Sequence, residues 1–182
     1  MKKWTWILIA VVLAGLIGGA SVLYNQLSVD YVPQQMVTEE IENLAPDFTV
    51  TDMDGNEVKL SDFFGKPIVL NFWASWCGPC QYEMPDFEEA YQEYGEDVQF
   101  LMVNLTDGYS ETVNSAKNFL EGTGYTFPVY FDTLSDAAKT YQVYSIPCTY
   151  FLDSNGAVVT RTIGMISADA LQQGVELIMA EL

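Results

Sequence analysis

The sequence predicts an α/β fold in one globular domain, and three observations carry that prediction. From Ile68 to Tyr141, short apolar runs alternate with stretches of helical period. Turn signals at Asp54-Gly55 and at Asp153-Ser154-Asn155-Gly156 place a hairpin on either side of that rhythm. The chain has 182 residues, 49% of them apolar, which is material for one full-sized core and little for a second.

Taken in order, the first element lies ahead of the domain. Trp4 to Tyr24 is a run of twenty-one residues without a formal charge, preceded by Lys2-Lys3. That is long enough to cross a hydrocarbon core of ~30 Å as a helix. A cleavable signal ordinarily has a shorter apolar centre of ~7–15 residues, although Gly18-Gly19-Ala20 offers a small-residue cleavage site. Length therefore favours a transmembrane anchor or uncleaved signal at 4–24, with residues 1–3 as a cytoplasmic tip and the remainder outside by the positive-inside rule. Residues 25–43 are polar and irregular and read as a linker. The domain is expected over 44–182.

Within the domain, Asp47 to Thr51 and Glu57 to Leu60 alternate across Asp54-Gly55 as a hairpin. The apolar run Ile68 to Trp73 is a buried strand, followed by a helix from Cys77 to Tyr94. Phe87, Ala90, Tyr91 and Tyr94 fall at helical spacing and face a sheet. Pro79 suits the first turn, whereas Pro85 lies inside and predicts a kink. A strand at Val98 to Leu105, a helix at Glu111 to Glu121, a strand at Phe127 to Phe131 and a helix at Leu134 to Tyr141 follow. This alternation implies parallel pairing. Thr149 to Leu152 and Val158 to Ile163 form the second hairpin, and Ser167 caps a closing helix that runs toward Leu182.

Charge and composition remove several chemistries. The chain has no His, which excludes Ser-His-Asp and Cys-His catalysis and His-ligated metals. Lys and Arg number 7 against 25 Asp and Glu, a net charge of -18. Such a field repels phosphate backbones, so a nucleic-acid role is excluded. The acidity itself is read as a solvated surface.

One motif survives these exclusions: Trp76-Cys77-Gly78-Pro79-Cys80 stands where a strand passes into a helix. Residues at i and i+3 are neighbours on a helix, so the two sulfurs can bond with little backbone movement. Cys77, at the helix N-terminus, meets unpaired N–H groups and the positive end of the dipole, which favour the attacking thiolate. Cys77 is the expected nucleophile and Cys80 the resolving thiol. Two alternatives compete. A zinc or copper(I) site needs further ligands, and only Cys148 is left over, so no metal site is expected. A structural disulfide closing so short a loop would constrain the unfolded chain little.

The order of strand, Trp-Cys-Gly-Pro-Cys, helix, then Ile146-Pro147 ahead of a hairpin and final helix resembles the thioredoxin fold. Ala45-Pro46-Asp47-Phe48, Asn71-Phe72-Trp73-Ala74-Ser75-Trp76-Cys77 and the added helix–strand unit ending in Phe127-Pro128-Val129 resemble the membrane-anchored TlpA/ResA-type thiol-disulfide oxidoreductases of the redoxin (AhpC/TSA) superfamily. The resemblance covers 44–182. It implies a mixed sheet with helices on both faces, an N-terminal β-hairpin and an inserted helix–strand unit. It further implies two-electron exchange with disulfides outside the cytoplasm, in the service of cell redox homeostasis. No cofactor is implied beyond a redox-active Cys77-Cys80 disulfide. The single peroxidatic Cys of related peroxide-reducing enzymes has no counterpart here.

The family pattern Cys-x-x-Cys-x-x-Glu-x-Pro is met by Cys77, Cys80, Glu83 and Pro85. Covered by the sheet, Glu83 would be pushed toward its neutral form and could exchange a proton with Cys80; on an open helix face it would be an ordinary surface carboxylate. Asn71 stands where thioredoxins proper carry a buried Asp, which throws weight onto Glu83. Pro147 resembles the cis-proline facing the active cysteines, with Ile146 offering its backbone to substrate; the alternative is a trans-proline at a strand edge. Trp76, Gly78, Pro79, Ile146 and Pro147 form the expected substrate-binding surface, while Trp73 and Phe72 belong to the core. Cys148 is either a small buried hydrophobe or an accessory thiol, able to join exchange or serve as a third thiolate for copper.

The expected function is reduction of disulfides in secreted or membrane proteins, of the kind required in cytochrome c maturation. The resemblance supplies electrons from a membrane-embedded, CcdA/DsbD-like thiol reductant. Gly78-Pro79 resembles the dipeptide of reducing thioredoxins, whose potential of about −270 mV contrasts with about −120 mV for the oxidant DsbA. The alternative from another class is a non-enzymatic chaperone for copper or apocytochrome.

Overall fold

The computed structural model of the chain describes residues 44–180. The tip, anchor and linker expected at 1–3, 4–24 and 25–43 lie outside the described residues. No helix among the described residues is long and apolar enough to cross a membrane.

Seven strands form one mixed sheet: β1 (Thr49–Thr51), β2 (Glu57–Lys59), β3 (Ile68–Trp73), β4 (Gln99–Asn104), β5 (Val129–Phe131), β6 (Cys148–Leu152) and β7 (Val158–Ile163). Their order across the sheet is β2-β1-β5-β4-β3-β6-β7. Of the strands joined by helices, β3 pairs with β4 and β4 with β5 in parallel, whereas β5 and β6 are not neighbours. The two expected hairpins, β1–β2 and β6–β7, are antiparallel, and β6 also runs antiparallel to β3. Four α-helices, α1 (Gly78–Tyr94), α2 (Val113–Leu120), α3 (Asp136–Thr140) and α4 (Ala168–Met179), and one 3-10 helix, Leu60–Phe63, accompany the sheet among the described residues.

β3 is buried at all six positions, as a near-continuous apolar run at the centre of a sheet covered on both faces requires. Period-two alternation divides it. Val69 and Trp73 join a cluster with Met84 and Phe87 of α1 and Val175 and Ile178 of α4. Ile68, Leu70 and Phe72 join the opposite cluster with Phe48, Leu60, Ala137 and Tyr141. Each large side chain so buried contributes roughly 1.5–3 kcal/mol. Helices therefore cover both faces, in the layering that the thioredoxin resemblance implies.

Local sequence shifts some boundaries. α1 continues across Pro85 as a single 17-residue helix. α2 begins at Val113, two positions later than the apolar pattern suggests. The cause is a capping box: Thr112 Oγ1 accepts the Ser115 N–H at 3.0 Å, and Ser115 Oγ accepts the Thr112 N–H at 2.8 Å. That later start frees Glu111 from the helix and lets it turn inward. Ser167 caps α4 by accepting the Ala170 N–H.

Candidate active site

β3 delivers its chain end to the start of α1, and there Cys77 and Cys80 are joined by a disulfide with Cα atoms 5.3 Å apart. Cys77 is the N-cap residue, with extended backbone, and its Sγ accepts the Cys80 N–H at 3.2 Å. An orphan helix donor is thus aimed at the first sulfur, the arrangement that favours a thiolate once the bond is reduced. Both sulfurs sit below the surface, Cys77 at 4% exposure and Cys80 at 1%.

Glu83, one turn beyond Cys80 on α1, is 1% exposed rather than on an open helix face. Its Oε1 accepts from Asn71 Nδ2 of β3 at 3.0 Å, and its Oε2 accepts from the Ile166 N–H after β7 at 2.9 Å. The same Asn71 nitrogen reaches Thr149 Oγ1 of β6 at 3.0 Å. Burial raises the Glu83 carboxyl to about 7, outweighing the two hydrogen bonds that favour its charge, and Asp86 adds to the rise. At neutral pH this group is poised to give or take a proton.

The Ile146–Pro147 peptide is cis. Pro147 is held by its carbonyl, which accepts the Gly164 N–H at 2.8 Å. Ile146, Pro147 and Met165 form, with Gly78, Pro79 and Tyr82, the lining of an open groove of about 460 Å³ beside the disulfide. Trp76 is 60% exposed next to Cys77, and Tyr82 and Met165 are exposed as well, whereas Trp73 and Phe72 are fully buried. An apolar, shallow surface with a few backbone groups suits an extended peptide better than a small polar molecule.

The structure does not bring Cys148 to this pair. On β6, Thr149 and Phe151 face α1 and α4, so Cys148, Tyr150 and Leu152 point to the other face, where Cys148 packs with Phe72. Its thiol is buried and free, and burial pushes its pKa up. Among the described residues, no group of three or more Cys, Asp or Glu side chains is placed to hold a metal ion.

Two groups at the site escape sequence reasoning. Thr149, read only as a strand residue, closes the Asn71 contact. Glu111, read as the start of a helix, is 1% exposed; its carboxylate accepts from Ser75 Oγ at 2.8 Å and from Asn104 Nδ2 at 3.1 Å. A Thr-x-x-Ser box beginning at Thr112 is the one sequence signal that places Glu111 outside α2.

With this geometry in view, the comparisons with known proteins fall on the same region. The model of the AhpC/TSA family matches residues 41–161. Thiol-disulfide oxidoreductase ResA of Geobacillus kaustophilus (strain HTA426) is 37% identical over 137 residues, which is 75% of this chain and 76% of that protein. Thioredoxin-like protein YneN of Bacillus subtilis (strain 168) is 31% identical over 177 residues, 97% of this chain and 99% of that protein. The crystal structure of the pneumococcal exposed lipoprotein thioredoxin Etrx1 from Streptococcus pneumoniae strain TIGR4 superposes with a TM-score of 0.64 at 34% identity, covering 72% of this chain and 99% of the other.

Proposed function

We propose, for a chain that belongs to the AhpC/TSA family and is a thiol-disulfide oxidoreductase, that Cys77 and Cys80 reduce disulfides of secreted or membrane proteins outside the cytoplasm, as cytochrome c maturation requires. The observation that carries this reading is the Cys77–Cys80 bond seated on the first turn of α1, with the Cys80 N–H directed at Cys77 Sγ.

In the forward direction the Cys77 thiolate attacks one sulfur of a client disulfide. An S–S bond forms between Cys77 and the client, and the client's other sulfur leaves as a thiolate that takes up a proton. Glu83, as carboxylate, accepts the proton of the Cys80 thiol. The Cys80 thiolate then attacks Cys77 Sγ, forming the intramolecular disulfide and expelling the client's second sulfur as a thiolate, which takes the proton held by Glu83. The client gains two electrons and two protons, and the chain's own dithiol becomes the disulfide. Trp76, Gly78, Pro79, Ile146 and Pro147 hold the client strand during both steps. Return to the dithiol takes two electrons from a membrane-embedded, CcdA/DsbD-like thiol partner, toward which an N-terminal anchor at 4–24 would hold the domain.

Catalytic reduction of insulin disulfides by the full chain tests this reading. Turnover is lost in Cys77→Ser, and Cys80→Ser accumulates covalent mixed disulfides whose client partners can be identified after capture in cells. Turnover that survives Cys77→Ser overturns the assignment. A potential above about −150 mV would reverse the direction to oxidation.

A further inference from the structure

We infer that Glu111 is a positioning residue of the redox site, acting on Cys77 through the hydroxyl of Ser75. The inference rests on the reading of Cys77 and Cys80 as the exchanging pair, and it concerns the turn that carries the first of them. Ser75 lies two residues before Cys77, in the segment where β3 gives way to α1. Its Oγ donates to Glu111 Oε2 at 2.8 Å, and its backbone carbonyl accepts from the Gln81 side-chain amide in the early part of α1. The Cys77 N–H closes the same turn on the Ala74 carbonyl at 3.1 Å. Ser75 is therefore gripped from two directions at the point where the chain reverses toward the sulfur.

The far side of that grip is itself fixed. The Glu111 N–H donates to Asp107 Oδ1 at 2.9 Å, and the Glu111 carbonyl accepts the Gly108 N–H at 2.9 Å. Glu111 Oε1 accepts from Asn104 Nδ2, and Asn104 Oδ1 accepts from Thr106 Oγ1 at 2.7 Å. Asn104 ends β4 directly opposite Trp73, and the Leu105 N–H reaches the Trp73 carbonyl at 2.9 Å. A rigid path thus runs from the end of β4, through Asn104 and Glu111, to Ser75. Burying a carboxylate is costly unless its oxygens are met, so the buried Glu111 is held to these two donors.

What this path secures is the register of Cys77 against the helix start. The Cys80 N–H lies 3.2 Å from Cys77 Sγ, and a shift of the turn by a fraction of an ångström would weaken that donation. Loss of the donor disfavours the thiolate and slows its attack at neutral pH. The contact needs an acceptor at Oε2, which an amide oxygen can also supply. In Glu111→Gln the new nitrogen would face Asn104, whose amide can turn over while Thr106 Oγ1 accepts instead of donating. That variant keeps the grip without the charge.

The test measures the pH dependence of alkylation at Cys77 in the reduced full chain, read on the peptide containing Trp76 and Cys77. Ser75→Ala and Glu111→Ala each slow alkylation at neutral pH by about threefold or more and move the profile to higher pH, and the double variant adds little to either. Glu111→Gln stays within about twofold of the native protein. A native profile in Ser75→Ala overturns the inference, and that small, half-buried truncation decides the matter even where Glu111→Ala fails to fold. A Gln variant as impaired as the Ala variant overturns it too, by making the charge the agent. Insulin turnover of Cys77→Ser serves as the control: if activity persists there, the exchanging-pair reading falls; if it is lost while Ser75→Ala titrates natively, only the role of Glu111 falls.

Discussion

Asn71 and Glu83 meet across the sheet–helix boundary at 3.0 Å, with the amide donating to the carboxylate. The pairing joins β3 to α1 behind the disulfide, and Thr149 extends it to β6. Because Asn71 does not ionise, the buried carboxyl has no titrating neighbour on β3. The proton equilibrium of this pocket is set by Glu83, whose carboxyl is raised chiefly by burial, with Asp86 adding a little.

That equilibrium predicts a dependence of stability on pH. Burial brings the Glu83 carboxyl to about 7 in the folded chain, against 4.5 for an unburied Glu. Between those values the folded chain keeps a proton that the unfolded chain has lost, so the contribution of Glu83 is complete at low pH and declines as pH rises toward 7. The loss is roughly 3 kcal/mol relative to a Glu83→Gln variant. Urea unfolding of both proteins at about pH 4 and about pH 8 measures it; equal pH slopes in the two would refute the coupling.

The exposed rim predicts a division between client binding and chemistry. Trp76→Ala and Met165→Ala remove apolar surface that lies open beside the disulfide. Each raises KM for a protein disulfide by about 5–10-fold and changes reduction of a small aromatic disulfide less than about twofold, since the latter needs little docking surface. Thermal unfolding should stay close to native, because neither side chain is buried. An equal effect on both substrates would place these residues in the chemistry instead.

Cys148 predicts a sharp distinction among the thiols. Its burial and raised pKa protect it from alkylation in the folded, reduced chain. Mass spectrometry after brief iodoacetamide treatment at neutral pH should find Cys148 unmodified until denaturant is added. Fast labelling in the native state would return it to the list of exchanging thiols.

Close packing behind the site predicts the cost of one methyl group. A Cβ at Gly174 on α4 would lie 2.3 Å from the Phe151 ring of β6. Phe151 is fully buried, so neither partner can swing into solvent. Gly174→Ala is expected to destabilise the fold by about 1–3 kcal/mol through overpacking, and denaturant titration checks this. Native stability would mean that α4 can slide on the sheet.

Much of this architecture is legible in the sequence because the decisive signals are local. The apolar run of β3, the Asp-Gly turn, the Ser167 cap and the spacing of Cys77, Cys80 and Glu83 are each written within a few residues. Glu111 is not, because its partner Ser75 lies 36 positions away and the helical pattern takes it in. Only the competing capping box at Thr112 separates the two readings. The burial of Glu83 follows from its position on the face of α1 that meets β3, whereas the contact with Ile166 arises from a loop 83 positions on. Cys148 shows the reverse case. Its nearness in sequence to Pro147 suggests company with the active pair, and strand alternation sends it elsewhere.

That alternation has a chemical consequence for a molecule with three sulfurs. Three cysteines admit three pairings, and a thiol within reach of a working disulfide invites scrambling into inactive isomers. Here the sheet itself stands as a partition, with Cys77 and Cys80 on one side and Cys148 on the other. The folded chain accordingly keeps its odd sulfur walled off from the bonded pair.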